Sequence, residues 1–181
     1  MNVSSIQFMR ETFVDEVAEV LRHTGLAPKL LQIELTESVM LHGADPAAET
    51  MKRLGALGVS IAIDDFGTGY SCFSYLPRLP FNTLKIDRAF VMELDERPEM
   101  RAMVQSLVTL AHNLNMQVVA EGVETVRQLE MIEMLGGNQV QGFLLGRPTA
   151  DPQSQLLVAN GSIQRDPRAP VSPNDSKTHP R

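Results

Sequence analysis

Short aliphatic runs alternate with longer helical segments along most of this chain, and that order restricts the fold. Five runs have the aliphatic enrichment of buried strands: residues 30–36, 58–64, 82–87, 117–120 and 138–141. Four segments carry apolar side chains at helical spacing: residues 10–24, 46–57, 98–114 and 124–135. Strands that alternate with helices are joined in parallel by helical crossovers, so the sequence predicts an α/β fold.

Two α/β architectures fit this order, an open doubly wound sheet and a (β/α)8 barrel. No GxGxxG or Walker-type loop follows a strand, which weakens the nucleotide-binding open sheet. Residues 2–4 read as the tail of a further strand, which gives six strand ends in all. A closed barrel has eight strands and typically about 250 residues. We therefore expect a TIM-like barrel that is incomplete at its amino terminus, with about six of eight strands and the first two missing.

Composition divides the chain into one domain and a tail. Most of the chain has the hydrophobic content of a globular domain, whereas residues 161–181 are rich in Pro, Ser, Asp and Arg and nearly free of large apolar groups. Such a segment buries too little surface to offset the entropy lost on ordering. We predict one domain over residues 1–155 and a disordered tail over residues 156–181.

Charge and hydropathy exclude several classes of partner. The net charge is −6, and the 16 Lys and Arg residues form no basic run, which argues against a polymeric nucleic acid as partner. No apolar run approaches the roughly 20 residues that span a bilayer. The single cysteine, Cys72, excludes an internal disulfide and fits a reducing compartment. We expect a cytoplasmic protein without a membrane segment in this chain.

The apolar run at residues 61–63 ends abruptly in Asp64 and Asp65, followed by a loop that contains Gly67 and Gly69. Adjacent carboxylates repel each other and are costly to desolvate, so such a pair usually binds a cation or shares a proton. Taken alone, the pair also fits an Asx-type turn after a strand. The other strands favour the first interpretation.

Polar residues stand at the carboxyl ends of nearly all the predicted strands. Each has a structural explanation of its own, such as an exposed edge position for Glu34, a snorkelling side chain for Lys85 or a helix-dipole contact for Glu124. In an α/β barrel, however, the carboxyl ends of the strands meet around one cavity. The residues are Asn2, Glu34, Glu37, Asp64, Asp65, Lys85, Asp87, Glu121, Glu124 and Gln141.

Oxygen ligands without clusters of Cys or His suit Mg²⁺ or Mn²⁺. A carboxylate-rich pocket with two such ions activates water for in-line attack on a phosphodiester and stabilises the leaving oxygen. A lysine among the acids could hold its ammonium near the water or the phosphoryl oxygens. The pattern therefore predicts metal-assisted phosphodiester hydrolysis.

These residues stand in six motifs: Asn2-Val-Ser, Glu34-Leu-Thr-Glu37-Ser, Asp64-Asp-Phe-Gly-Thr-Gly-Tyr-Ser71, Leu84-Lys-Ile-Asp-Arg88, Val119-Ala-Glu-Gly-Val-Glu-Thr125 and Gln141-Gly-Phe with Arg147-Pro148. In their order and spacing over roughly residues 1–150, the motifs resemble the EAL family of bacterial cyclic di-GMP phosphodiesterases.

The resemblance implies a TIM-like barrel that binds cyclic di-GMP and two divalent ions, Mg²⁺ or Mn²⁺, and opens one phosphodiester to give linear pGpG. It implies catalytic roles for Lys85, Glu121 and Asp65, with Lys85 orienting the water. It also implies that Glu37 and Glu124 steady the loop at residues 66–71. The implied metal ligands are Asn2, Glu34, Asp64 and Glu121 for one ion, with Asp65 and Asp87 completing the second site, while Gln141 lines the pocket and Gly67 and Gly69 shape the loop.

One departure from the family is an absence. The Glu-Ala-Leu type motif that names the family, whose glutamate is a metal ligand there, has no counterpart among these residues and is expected upstream of Asn2. Two alternatives therefore stay open, a non-catalytic cyclic di-GMP receptor and an inactive truncated fragment. The resemblance further implies a possible homodimer and a sensory or GGDEF-type domain upstream in a longer parent.

Overall fold

The computed structural model of the chain has a five-stranded parallel sheet, which confirms the predicted α/β class. It describes residues 1–67 and 74–147, except for the side chains at 41 and 42, and the backbone at 158–159 and 162–163. The sheet order follows the sequence, β1-β2-β3-β4-β5. The strands are β1 (Gln32–Thr36), β2 (Ser60–Phe66), β3 (Thr83–Ile86), β4 (Gln117–Glu121) and β5 (Gln139–Gln141).

Helices connect the strands, and each of the four predicted helices is present. Two short helices, α1 (Ser5–Phe8) and α4 (Arg88–Met92), were not predicted, because a capping side chain and not apolar periodicity starts each one. Ser4 Oγ accepts from Gln7 N at 3.2 Å, and Asp87 Oδ1 accepts from Ala89 N at 2.8 Å. The helices are α1 (Ser5–Phe8), α2 (Phe13–Thr24), α3 (Ala44–Leu57), α4 (Arg88–Met92), α5 (Pro98–Asn113) and α6 (Val126–Met134), with 3-10 turns at Pro28–Leu30, Glu37–His42 and Leu76–Arg78.

The predicted strand tail at residues 2–4 lies along the outer edge of β1. Asn2 forms a parallel bridge with Glu34, Val3 N donates to Glu34 O at 3.0 Å, and Glu34 N donates to Met1 O at 2.9 Å. This contact extends the parallel arrangement by one short segment. It brings Asn2 to the same edge of the sheet as the carboxyl ends of the strands.

The strands bury aliphatic side chains on the helix-covered face of the sheet. Ile33 on β1, Ile63 on β2, Leu84 on β3 and Val118 on β4 are all fully buried in the hydrophobic core. Successive strand residues point to opposite faces, so the neighbouring positions face the other side. That second face carries the polar residues of the candidate site.

Two asparagines align neighbouring strands at the opposite, amino-terminal edge of the sheet. Asn82 Oδ1 accepts from Ile61 N at 2.8 Å, and the backbone N of Asn82 donates to Ile61 O at 2.8 Å. Asn138 does the same with Val118, at 2.7 and 3.1 Å. Each asparagine precedes its strand, β3 or β5, and its side chain continues the hydrogen bonding to the neighbouring strand. It thereby helps to set the register in which the carboxyl ends of the strands lie side by side.

Gly142, directly after β5, lies against the backbone of Val123. A Cβ added at Gly142 would clash with the backbone O and N of Val123, so the chain would have to shift. We expect Gly142→Ala to lower the free energy of unfolding by about 1–3 kcal/mol, the usual cost of overpacking. Gly146→Ala is the matched control, because nothing lies within 4 Å of its added Cβ. Urea unfolding that gives equal stabilities for the two variants would contradict this packing.

Two sequence predictions concern the chain beyond the sheet. Most of the tail predicted over residues 156–181 lies outside the described residues, so its disorder stays a prediction; residues 158–159 and 162–163 pair as two short antiparallel strands, β6 and β7. In the described part of the chain, no helix has the length and apolar character needed to cross a bilayer.

Candidate functional site

Carboxylates from different strands converge at the carboxyl edge of the sheet. Asp64 and Asp65 lie near the end of β2, and Glu121 is the last residue of β4. One carboxylate oxygen from each of the three lies within 4.8 Å of the others. Asp64 is only 9% exposed, so its negative charge lies away from bulk water. The structure thus places these three predicted site residues together.

Lys85, from β3, lies between the carboxylates with its ammonium at the centre of the group. Its Nζ is 2.6 Å from Glu121 Oε1, 2.8 Å from Asp64 Oδ1 and 3.1 Å from Glu34 Oε2. The residue is 5% exposed, so it does not snorkel to the surface. Lys85 on β3 therefore links acidic side chains from β1, β2 and β4.

Asn2 completes this side of the site. One atom of its terminal amide lies 3.2 Å from Asp64 Oδ2 and 3.0 Å from Glu34 Oε2. If this atom is the amide nitrogen, it donates hydrogen bonds to both carboxylates. If it is the amide oxygen, it adds an uncharged metal ligand beside the carboxylates. Asn2 is thus suited both to a site without an ion and to one that holds a cation.

The crowding of charges changes the acidity of several groups. Burial raises the pKa of Glu121, against the lowering effect of Lys85, and burial also raises the pKa of Asp65, reinforced by Asp64 and Asp87. Burial acts to lower the pKa of Lys85, but its close contacts with the carboxylates of Asp64, Glu121 and Glu34 outweigh burial and raise that pKa above its usual value. The raised pKa values of the two acids show that the negative charge at the site is not fully balanced. The raised pKa of Lys85 shows that its charged form is stabilised by the carboxylates.

The donor set fits a hard divalent cation. Carboxylate and amide oxygens surround the position, which suits Mg²⁺ or Mn²⁺ and not a softer ion. Asp64 Oδ1 is buried and has an ionic contact with Lys85, yet accepts no well-aligned hydrogen bond. An acceptor that has lost water and gained no hydrogen bond is available to a metal ion. The residues present therefore fit the metal that the sequence predicts.

Asp65 and Asp87 interact with each other beside Asp64, where a second ion is predicted. Asp65 has a positive φ of 52°, a conformation that is uncommon outside glycine, and its side chain interacts with Asp87. Asp87 also caps α4 through Ala89 N. The carboxylates of Asp65 on β2 and of Asp87, directly after β3, give this position its negative charge.

The beginning of the loop at residues 66–71 is held by Glu37. Glu37 Oε1 accepts from Gly67 N at 2.7 Å, at the start of the loop that Glu37 is predicted to steady; its role for the whole loop stays a prediction. Gly67 has a φ of 97°, and a Cβ there would lie 2.8 Å from the Phe90 ring, so the position favours glycine. Gly69 and the rest of the loop, from residue 68, lie outside the described residues.

The remaining predicted residues lie at the rim. Glu124 Oε1 accepts from Arg88 Nη2 at 2.8 Å, so its contact in the described residues is with α4; its predicted role at the loop stays a prediction. Gln141 ends β5, where it is the register partner of Glu121, and its side chain is exposed. The exposure leaves the side chain accessible to a ligand.

A cavity of about 410 Å³ opens beside the acids toward the residues before α1. Its volume lies within the range of small-molecule sites. Several of its hydroxyl residues were not predicted as site residues, although Ser4 belongs to the Asn-Val-Ser motif and Thr36 and Ser38 flank Glu37. The lining residues are Asn2, Val3, Ser4, Ser5, Glu34, Thr36, Ser38, Asp64 and Asp65.

Comparison with known proteins agrees with this geometry. The family model described as "EAL domain" matches residues 1–148, more than half of the chain. The chain belongs to the EAL domain family. Both the predicted resemblance and the predicted barrel class are thereby confirmed, since solved EAL domains share its fold.

Two relatives of this EAL domain are enzymes of Pseudomonas aeruginosa. The bifunctional diguanylate cyclase/cyclic di-GMP phosphodiesterase MucR is 46% identical over 159 residues, which cover 88% of this chain and 23% of MucR. The cyclic di-GMP phosphodiesterase NbdA is 40% identical over 148 residues, which cover 82% of this chain and 19% of NbdA. The chain thus spans about a fifth of the length of these relatives.

Solved EAL structures match the fold closely. The MucR phosphodiesterase in complex with c-di-GMP superposes with a TM-score of 0.79 at 46% identity, over 84% of this chain and 62% of that chain. Klebsiella pneumoniae BlrP1, solved as a manganese/cy-diGMP complex, superposes with a TM-score of 0.75 at 33% identity, over 82% of this chain and 38% of that chain. A calcium/cy-diGMP complex of BlrP1 also matches.

Proposed function

We propose that this EAL domain takes part in the metal-dependent hydrolysis of cyclic di-GMP to linear pGpG. The observation that carries the proposal is the convergence of Asn2, Glu34, Asp64 and Glu121 around the Lys85 ammonium, with Asp65 beside them. Oxygen donors of this number and charge suit divalent ions at a phosphate ester. The c-di-GMP complexes of MucR and BlrP1 support cyclic di-GMP as the substrate.

Two ions, Mg²⁺ or Mn²⁺, would supply the polarisation of water and of the phosphoryl group that an in-line displacement needs. Asn2, Glu34, Asp64 and Glu121 are the proposed ligands of one ion. Asp65 and Asp87, together with Asp64, are the proposed ligands of the second. The manganese and calcium complexes of BlrP1 support the use of divalent ions by this family of sites.

The residues of this chain would assist a balanced hydrolysis. Water oxygen bonds to phosphorus, the bond from phosphorus to the 3′ oxygen breaks, and the products are a 5′ phosphate and a 3′ hydroxyl, as in pGpG. Glu121 or Asp65 accepts the proton of the attacking water, and the leaving 3′ oxygen gains a proton from solvent. Lys85 donates to the water or to a phosphoryl oxygen, which orients the attack and offsets the developing negative charge.

Catalysis also requires, by family pattern, the glutamate of the Glu-Ala-Leu type motif, and none of the predicted strands of this chain carries that motif. We propose that the chain acts as one part of an EAL domain. A second candidate, binding of cyclic di-GMP without turnover, would use the same cavity and the exposed side chain of Gln141.

The test is incubation of the purified chain with cyclic di-GMP and Mg²⁺ or Mn²⁺, followed by separation of the nucleotides. The same assay is run on a fusion that adds the motif-bearing segment of the MucR phosphodiesterase domain in front of residue 1. We expect pGpG from the fusion and little or none from the chain alone. If the fusion is folded and binds cyclic di-GMP but releases no pGpG, the receptor function is favoured and the hydrolase proposal is wrong.

The surroundings of the site are proposed from the same relatives. The name of MucR joins a diguanylate cyclase to the phosphodiesterase, which supports a GGDEF-type or sensory domain as a partner of this EAL domain. A homodimer and a cytoplasmic location are proposed as well; the location is favoured by the nucleotide substrate and the single cysteine.

A further inference from the structure

Lys85 already supplies a cation at the position where the metal ligands converge. We propose that Lys85 is the counter-ion of the metal-free site and competes with the divalent ion for Glu34, Asp64 and Glu121. The inference rests on the metal site of the proposed function and adds a residue that sets the metal affinity. It concerns the ion alone and requires no turnover.

The first step of the argument is the number of donors and acceptors. A lysine ammonium has three N–H groups. Three carboxylate oxygens lie within 3.1 Å of Nζ, on Glu34, Asp64 and Glu121. The ammonium thus contacts the same groups that are the proposed ligands of one ion. A cation bound by these oxygens would lie close to the Lys85 ammonium, so the two positive charges compete for the same carboxylates.

The second step is electrostatic. Lys85 is buried and contacts three carboxylates, while Asp65 adds a fourth nearby acid, so the ammonium offsets much of the local repulsion. Removal of one partner from a buried ionic group leaves uncompensated charge. Without Lys85, the metal-free site would be less stable and would attract an added cation more strongly. Loss of the lysine therefore has opposite effects on folding and on metal binding.

The third step concerns the order of events. In the metal-free site the Lys85 ammonium is held within 3.1 Å of three carboxylate oxygens and donates to Glu34, so it is not directed at a water or a phosphoryl oxygen. An ion that takes over these carboxylates frees N–H groups of the same ammonium. Lys85 would then become available to the substrate only in the metal-loaded site, so that metal binding and the positioning of Lys85 are coupled.

The test compares Mn²⁺ binding by the wild-type chain and by Lys85→Met, whose side chain is similar in length but carries no charge. Binding is measured by calorimetry and by the electron paramagnetic resonance signal of free Mn²⁺, with no nucleotide present. We expect Lys85→Met to bind Mn²⁺ at least about tenfold more tightly, the size of a typical coupling between sites. Equal or weaker binding by this variant would overturn the proposal.

The control variant is Lys52→Met, which removes an exposed lysine on α3, away from the sheet edge. It should bind Mn²⁺ as the wild-type chain does. A similar gain in affinity in Lys52→Met would show that net charge, and not the contacts of Lys85, sets the affinity. That result would also overturn the proposal.

A second measurement uses the wild-type chain, in case Lys85→Met does not fold. The Lys85 ammonium is followed by nuclear magnetic resonance in protein labelled with ¹⁵N-lysine while Mg²⁺ is added. We expect its signal to shift, and its proton exchange with water to accelerate, over the same Mg²⁺ concentrations that saturate the site. An unchanged Lys85 signal at saturating Mg²⁺ would contradict the competition.

The two proposals fail in different ways. A chain whose Lys85 responds to the ion as expected, but whose fusion releases no pGpG, rejects the hydrolase function alone. A fusion that hydrolyses cyclic di-GMP, while Lys85→Met binds Mn²⁺ no more tightly than wild type, rejects the competition alone.

Discussion

Replacement of Asp64 by Asn should greatly weaken divalent-ion binding while the fold remains. Asp64 contributes to the convergence through both oxygens, with Oδ1 at 2.8 Å from Lys85 Nζ and Oδ2 at 3.2 Å from the Asn2 amide. An Asn side chain keeps the shape but loses the charge and one of the two oxygen donors. We expect Mn²⁺ affinity to fall at least 100-fold, about 2.7 kcal/mol, in calorimetric titration.

The metal-free stability of Asp64→Asn should change much less than its metal affinity. Lys85 keeps its contacts with Glu34 and Glu121, so its charge is not left unpaired. We expect urea unfolding without metal to differ from wild type by less than about 1.5 kcal/mol, near the net value of one hydrogen bond. Asp15→Asn is the control, because Asp15 is exposed on α2 and pairs with Arg53. Unchanged Mn²⁺ affinity in Asp64→Asn would contradict the proposed site.

The layout of the fold could be predicted because burial leaves a strong pattern in the sequence. Runs such as residues 58–64 are aliphatic since one face of β2 packs in the core, and glycine after residue 57 marks the end of α3. The convergence of the acids follows from two rules together. Parallel strands end at one edge, and alternate residues share a face.

The details of the site could not be predicted, because they depend on distances between separate strands. The position of Lys85 among three carboxylates is visible only when β1, β2, β3 and β4 are placed side by side. The register that brings them together depends on Asn82 and Asn138, whose role comes from contacts with Ile61 and Val118 on neighbouring strands. Such long-range hydrogen bonds leave no local period in the sequence.

Removal of the Glu37 side chain should destabilise the chain and loosen the site at the end of β2. Glu37 is 7% exposed, and its Oε1 accepts from Gly67 N at 2.7 Å, two residues after Asp65. Glu37→Ala leaves that N–H without its acceptor, and a hydrogen bond to a charged group contributes about 1.5–3 kcal/mol. We expect a loss of this size in urea unfolding, together with weaker Mn²⁺ binding in calorimetric titration, because Asp65 is less firmly positioned.

Glu37→Gln separates the hydrogen bond from the charge. Its amide oxygen still accepts from Gly67 N, so it should recover most of the lost stability and Mn²⁺ affinity relative to Glu37→Ala. If Glu37→Gln instead behaves like Glu37→Ala, the negative charge matters more than the acceptor. If Glu37→Ala loses stability but binds Mn²⁺ as wild type does, the contact with Gly67 supports the fold without positioning Asp65. If Glu37→Gln recovers both the free energy of unfolding and the Mn²⁺ affinity, the hydrogen bond to Gly67 N supports the metal site as well as the fold.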